Sequence, residues 1–196
     1  MLSVKDFYNK YHKSFDKSRY SVWRAVRDFI EVIPPGSTVF EAGCGNGKNL
    51  EYMNEKDLIT IGVDFSDKLV DICKEKHLNV SVSDIRELPF EDNTFDYVLS
   101  IAVIHHLEKE SDRIKAINEM LRVCKTGGKV LISVWSLKQE PESRRKFVSG
   151  PNLVKWLDTY RYYYIYDDDN LQNLLLGYDV GNIMWDRGNY FIVLNL

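Results

Sequence analysis

Three carboxylates at the ends of apolar runs, and a cluster of glycines beside the first, set the chemistry open to this chain. Residues Val39 to Asn49 read Val-Phe-Glu-Ala-Gly-Cys-Gly-Asn-Gly-Lys-Asn, so a β-run closes on Glu41 and opens into a loop carrying Gly43, Gly45 and Gly47. Glycines suit such a strand-to-helix turn, because the chain reverses sharply there and its backbone must approach a ligand that a Cβ would obstruct. A dinucleotide loop would need its third glycine at Lys48, and a phosphate-binding loop would need a glycine at Ala42 and a hydroxyl at Asn49; neither is written here. A second apolar run, Leu58 to Val63, ends in Asp64 and Phe65, at the spacing where a carboxylate can accept both hydroxyls of a ribose. Asn79 to Ser83 closes on Asp84 and Ile85. One aspartate at a strand end often only caps the next helix. Three acids in succession mark the carboxyl edge of a parallel sheet, where open α/β sheets bind ligands.

The elements that must position these groups alternate along the chain. Strands are predicted near 38–42, 58–63, 79–83, 95–100 and 129–135, with helices at Asp67 to His77 and Glu110 to Cys124 between them. Lys17 to Ile33 reads as one amphipathic helix stopped by Pro34-Pro35-Gly36. Residues 137–158 are polar and read as a long surface segment. A helix follows from near Asp167, whose acid run suits a helix N-terminus better than a metal. Two β-runs, Tyr178 to Trp185 and Asn189 to Leu196, meet at Asp186-Arg187-Gly188 as a hairpin. With 196 residues and 44% hydrophobic content the chain fits one domain. Its expected parts are a helical cover over 1–36, a ligand-binding core over 37–136, an irregular substrate-side segment over 137–166, and a terminal helix and hairpin over 167–196.

Composition narrows the function. A net charge of −3 argues against bulk nucleic-acid affinity, though not against a local basic patch. Cys44, Cys73 and Cys124 form no C-x-x-C pair, which disfavours a disulfide framework or zinc site and fits a reducing compartment. Neither an apolar signal core nor a membrane-length apolar run is evident, so no membrane partner is expected. The expected location is cytoplasmic, with the nucleus left open as a second compartment.

The Glu-x-Gly-x-Gly-x-Gly loop resembles motif I of the class I S-adenosylmethionine-dependent methyltransferases. That resemblance implies an α/β, Rossmann-like seven-stranded fold with a C-terminal antiparallel hairpin. It implies S-adenosyl-L-methionine as cofactor, held by Glu41, Gly43, Gly45, Gly47, Asp64, Phe65, Asp84, Ile85 and Ser100, with Asp84 reading the adenine amino group. The segment after the fourth strand, Ser100-Ile101-Ala102-Val103-Ile104-His105-His106, lacks the Asn/Asp-Pro-Pro-aromatic signature of amino-group methyltransferases. Cytosine-carbon methylation needs a placed thiolate, and Cys73 and Cys124 fall inside predicted helices. Combined with Phe15, Arg19 and Trp23, Leu88-Pro89-Phe90, Val134-Trp135 and Arg161-Tyr162-Tyr163, that segment resembles the eukaryotic tRNA wobble-uridine carboxymethyl methyltransferases. The match runs nearly end to end. It departs at Thr126, where a proline is usual before Gly127-Gly128, and in a short 137–158 segment where relatives carry a longer basic insertion. The resemblance implies the tRNA anticodon loop as substrate and a small zinc-binding activator docked along the third-strand edge, Leu78 to Ser83.

A carboxymethyl carboxylate, with a pKa near ~4, is ionised at neutral pH, so its attack on a sulfonium methyl needs no general base. The requirement is alignment at roughly 3 Å and removal of water from the nucleophile. A cation should orient the carboxylate, with Arg19 the first choice and Arg161 the second. His105 or His106 could line the acceptor pocket, against packing as the plain alternative. Tyr162 and Tyr163 could stack on a splayed base or pack the core. Lys5, Lys10, Lys13, Lys17, Arg19, Arg24 and Arg27, with Arg144-Arg145-Lys146, supply the basic patches. Two rival functions remain: a small-molecule carboxyl or hydroxyl O-methyltransferase, and a catalytically silent subunit that keeps the fold.

Overall fold

The computed structural model describes residues 2–143 and 145–196; Met1 and Arg144, one member of the second basic cluster, lie outside the described residues. Among them the chain forms helices α1 (Val4–Ser18), α2 (Arg24–Ile30), α3 (Lys48–Asn54), α4 (Asp67–Glu75), α5 (Glu110–Val123) and α6 (Asp168–Leu174). The strands are β1 (Thr38–Ala42), β2 (Ile59–Asp64), β3 (Val80–Val82), β4 (Phe95–Ile101), β5 (Cys124–Trp135), β6 (Gly150–Trp156), β7 (Thr159–Ile165), β8 (Val180–Asp186) and β9 (Asn189–Asn195). Seven strands make one sheet in the order β3-β2-β1-β4-β5-β9-β8. The first five run parallel and β9 and β8 are antiparallel additions. The order reverses at β1 and β4, and the loops after their carboxyl ends frame the crevice where such sheets bind ligands.

Both faces of the sheet are covered, which is why the central strands read as near-continuous apolar runs. Phe40, Val98, Ile132 and Ile192 pack against α5 and α6 on one face. Val39, Leu99, Leu131 and Phe191 meet α2, α3 and α4 on the other. A smaller cluster of Phe7, Tyr8 and Leu69 seats α1 against α4. No helix among the described residues is long and apolar enough to cross a membrane.

Two expectations need correcting. The single helix over Lys17 to Ile33 is two helices, with Arg19 to Trp23 non-helical between them. The cause lies in the glycine loop: the Asn46 side-chain amide donates to the Arg19 carbonyl at 2.9 Å and Lys48 Nζ donates to the Ser21 carbonyl at 2.9 Å. Those carbonyls would otherwise accept from the next helical turn. The polar surface segment over 137–158 also gives way, from Gly150, to a β6–β7 hairpin that reaches Ile165. In β7 the buried residues alternate as Arg161, Tyr163 and Ile165, a period-2 pattern carried by an arginine and a tyrosine rather than by aliphatic residues.

Candidate active site

A cavity of about 520 Å³ opens at the carboxyl ends of β1, β2 and β4, with α1 on one side and β7 and the β8–β9 turn on another. Its floor is the glycine loop. Gly43 has φ +81°, and a Cβ there would lie 2.5 Å from Val103 Cγ2. Gly45 has φ +58° and faces the Phe15 ring. Gly47 serves another purpose than the one expected: it does not line the cavity, and a Cβ there would meet Leu78 Cδ1 at 2.3 Å, so its glycine permits the packing of α3 on the β3 approach.

The three acids differ in state. Glu41 is buried, and burial pushes its carboxyl up to about 8. One of its oxygens accepts from the Asn49 amide at 2.6 Å, while Oε2 has no partner. A buried orphan oxygen on a cavity wall is an acceptor waiting for a donor. Asp64 is buried too and is pushed up to about 6 by burial, opposed by the amides that it accepts from. Its Oδ2 accepts from Gly45 N at 2.9 Å and its Oδ1 from Ser66 N at 2.9 Å, so it holds the glycine loop while each oxygen keeps a lone pair free. Asp84 also lines the cavity, with its carboxylate already engaged by a near neighbour. Arg86 grips both its oxygens, with Nη2 at 2.6 Å and Nε at 3.0 and 3.1 Å, and holds the carboxyl below its usual range. Phe65 and Ile85, each next to an acid, line the cavity as apolar walls. Ser100 does not: fully buried, it donates its hydroxyl to the Ala42 carbonyl at 3.1 Å and ties β4 to β1.

At the opposite wall, α1, β7 and a 3-10 turn over Ile104–His106 assemble a polar relay inside an aromatic shell. Arg161 Nη1 donates to the Tyr8 hydroxyl oxygen at 3.0 Å. Tyr8 lies 3.1 Å from His106 Nε2, and His106 Nδ1 lies 2.9 Å from the Tyr162 carbonyl. A carbonyl only accepts, so the His106 proton sits on Nδ1 and Nε2 accepts a hydrogen bond from the Tyr8 hydroxyl. Burial holds His106 down to about 3, so the ring is neutral at physiological pH. Arg161 is itself 5% exposed, and no carboxylate among the described residues pairs with it. Its guanidinium carbon lies 4.4 Å from the Trp156 ring centroid, 4.7 Å from Phe7, 5.2 Å from Tyr163 and 5.7 Å from Tyr8. Arg19, the first choice on sequence grounds, lines the mouth half-buried, and its guanidinium donates to Ser18.

Tyr163 stacks on Trp135 at 4.1 Å and contacts both His105 and His106, so it is a wall of the site rather than a free platform. Tyr162 is half-buried and donates to the Glu108 carbonyl. Tyr8 and Trp156 were missed; nothing distinguished Tyr8 before its helix was known, although helical spacing over 4–18 would have placed it with Phe7 and Phe15. The N-terminal basic patch is thinner than it reads, since Lys5 pairs with Asp67, Lys10 with Asp158 and Arg24 with Asp28. Arg145, exposed, lies over Trp135 at 4.7 Å at the cavity rim.

A family model described as "Methyltransferase domain" matches residues 40–132. A Xenopus tropicalis tRNA (carboxymethyluridine(34)-5-O)-methyltransferase is 46% identical over 126 residues, which is 64% of this chain and 20% of the relative. A Schizosaccharomyces pombe protein of that same name is 37% identical over 163 residues, 82% of this chain and 70% of the relative. The chain spans less than a third of the length of several such relatives. Among solved structures, a Haloferax volcanii methyltransferase in complex with the Trm112 methyltransferase activator matches with a TM-score of 0.70 at 17% identity, over 98% of this chain and 97% of that one. That likeness is one of fold.

Proposed function

The chain belongs to the tRNA (carboxymethyluridine(34)-5-O)-methyltransferase family, and from that premise we propose that it transfers the methyl group of S-adenosyl-L-methionine to the carboxylate of wobble 5-carboxymethyluridine, giving the methyl ester. The observation that carries the reading is Arg161, a buried cation on the cavity wall with no carboxylate partner among the described residues. Breaking a buried ion pair costs ~3–5 kcal/mol, and the Tyr8 hydroxyl and the aromatic rings around Arg161 offset that cost without supplying a counter-charge, which supports an anion as its partner in the cavity. The substrate carboxylate is that anion.

On the other side, the residues fit the cofactor. Glu41 Oε2 is an orphan acceptor suited to an ammonium, Asp64 retains lone pairs for ribose hydroxyls, and Gly43 leaves the backbone bare where a Cβ would close the floor. Bound S-adenosylmethionine supplies an electrophilic methyl on a sulfonium. Attack by the carboxylate oxygen on that methyl would leave the electron pair of the broken C–S bond on sulfur, so no residue of the chain would need to move a proton. The chain's task is to hold the carboxylate dry and in line, which the Arg161 cage and the Tyr8–His106 relay accomplish. Both histidines act as neutral hydrogen-bonding groups rather than as acid or base. These intact features weigh against a silent scaffold.

The tRNA would reach the cavity past Arg145, Arg19 and the α1 cations Lys13 and Lys17, none of which pairs with a carboxylate among the described residues. A small zinc-binding activator is proposed along the outer edge of β3, in keeping with that strand's place at the end of the sheet. Residence in the cytoplasm, and in the nucleus if fractionation finds it there, follows its substrate. The test is direct. Purified protein, with and without the activator, is given S-adenosylmethionine and tRNA from cells lacking this gene, and wobble nucleosides are read by mass spectrometry. The expected product is 5-methoxycarbonylmethyluridine; no ester in either condition, with methylation of a small carboxylic acid instead, would favour the small-molecule reading.

A further inference from the structure

The two adjacent histidines carry opposite tautomers, and the difference leaves one unclaimed donor in the acceptor wall. The backbone N–H of Trp135 donates to His105 Nδ1 at 3.3 Å. A neutral ring that accepts at Nδ1 must carry its proton on Nε2. His105 is fully buried among the residues that line the cavity, and its Nε2 has no partner. Arg161 lines the same cavity, and its buried Nε is a further donor without a partner, while its Nη1 is spent on Tyr8. Both orphan groups are N–H donors. Neither can become an acceptor, because Trp135 fixes one tautomer and a guanidinium has no lone pair to offer.

We infer that His105 and Arg161 form a donor-only receptor that selects a wobble 5-carboxymethyl group over its 5-carbamoylmethyl counterpart. A carboxylate brings two acceptor oxygens to two donors. The carboxamide, of nearly the same shape, brings one oxygen and one NH₂, and so sets N–H against N–H in a buried site. Sites that leave buried polar groups unpaired reject such near-isosteres far more strongly than apolar pockets reject a missing methylene. The selection rests on the proposed reaction, and it explains why the wall uses a locked neutral histidine beside the arginine rather than a flexible amide, which could turn to accept.

Two anticodon stem-loops that differ only in this substituent provide the test, with binding of each measured by competition in the presence of S-adenosylhomocysteine. The wild-type chain is expected to bind the acid at least roughly tenfold more tightly than the amide, the loss expected from one unsatisfied charge-assisted pairing. His105→Asn keeps an oxygen for the Trp135 N–H and lacks the Nε2 donor, so the ratio should fall below about threefold with S-adenosylhomocysteine affinity unchanged. His105→Gln, whose amide can rotate, should regain acid binding and admit the amide as well. The inference is overturned if the wild type binds both loops equally, or if the ratio survives in either variant with cofactor affinity intact. A wild type that discriminates but esterifies neither loop would instead remove the proposed reaction.

Discussion

Arg161 and Glu41 are the residues whose electrostatics most constrain the site, and both lead to tests. Arg161 is a buried guanidinium with no carboxylate partner among the described residues, which weakens the free protein, and under the proposed reaction the substrate carboxylate would supply that partner. Arg161→Met should therefore abolish methyl transfer to tRNA, with a loss of at least ~10²-fold in kcat/KM, while leaving cofactor affinity unchanged and Tm equal or higher. A fall in Tm beyond about 5 °C would make the cation a structural piece of its aromatic cage instead. Glu41 titrates in the opposite sense to a salt-bridged acid. Its folded value of about 8 lies above the ordinary 4.5, so its contribution to stability is full below pH 4.5 and is lost as pH rises through 8. The ligand-free wild type should lose Tm between pH 5 and 8 relative to Glu41→Gln. Binding of the cofactor ammonium beside Glu41 would ionise it, so calorimetry at pH 7 in buffers of different ionisation enthalpy should show proton release approaching one per site. Zero release would place the ammonium elsewhere. The sequence made Glu41 legible through its strand-end position, but ranked Arg19 above Arg161, because only the fold shows that Arg161 is buried on the cavity wall while Arg19 sits at its mouth.

Elements with a local signature were legible, and those held by distant contacts were not. The five parallel strands announced themselves as apolar runs, three of them ending in acids, and Pro34-Pro35-Gly36 stopped the helical pattern of α2. The break at Arg19 to Trp23 was not legible, because Asn46 and Lys48 impose it from 27 residues away along the chain. The β6–β7 hairpin hid behind tyrosines, whose alternation has meaning only once Trp135 and His106 are known to lie beneath them. Gly47 and Ser100 fit the loop pattern yet turned out to be packing residues, since a motif gives spacing and not direction. Gly43 and Gly45 are the loop glycines that line the cavity. Gly43→Ala adds a Cβ at φ +81° and 2.5 Å from Val103, so it should cost about 1–3 kcal/mol of stability and at least tenfold in cofactor affinity. Adding Val103→Ala removes the clash but not the backbone strain, and the double variant should recover part of the stability. Full additivity of the two changes would show that they do not touch.

At the scale of the whole molecule the sheet has two open edges, and the one formed by β3 carries the partner prediction. β3 pairs with β2 alone, in parallel, with Ser83 N donating to the Asp64 carbonyl and Gly62 N to the Asn79 carbonyl. A parallel ladder uses alternate residues on each side, so the main-chain groups of Val80 and Val82 face outward. Their side chains differ: Val80 is 7% exposed and belongs to the core, while Val82 is 46% exposed, and Ile59 on the neighbouring strand is 57% exposed. An exposed apolar edge of this kind favours strand addition and is a liability when bare. Val82 is therefore the residue to change, because replacing Val80 would damage the core along with the edge. Val82→Pro removes one outward donor, and an edge strand tolerates proline where the N–H faces away from its neighbour. The variant should retain its fold and its cofactor affinity yet bind the activator at least tenfold more weakly by titration calorimetry, with wobble ester formation falling in step at limiting activator. Undiminished binding by a folded Val82→Pro protein would move the activator off β3, and the β8 edge, with Ile183 and Met184 partly exposed, would be the surface left to test.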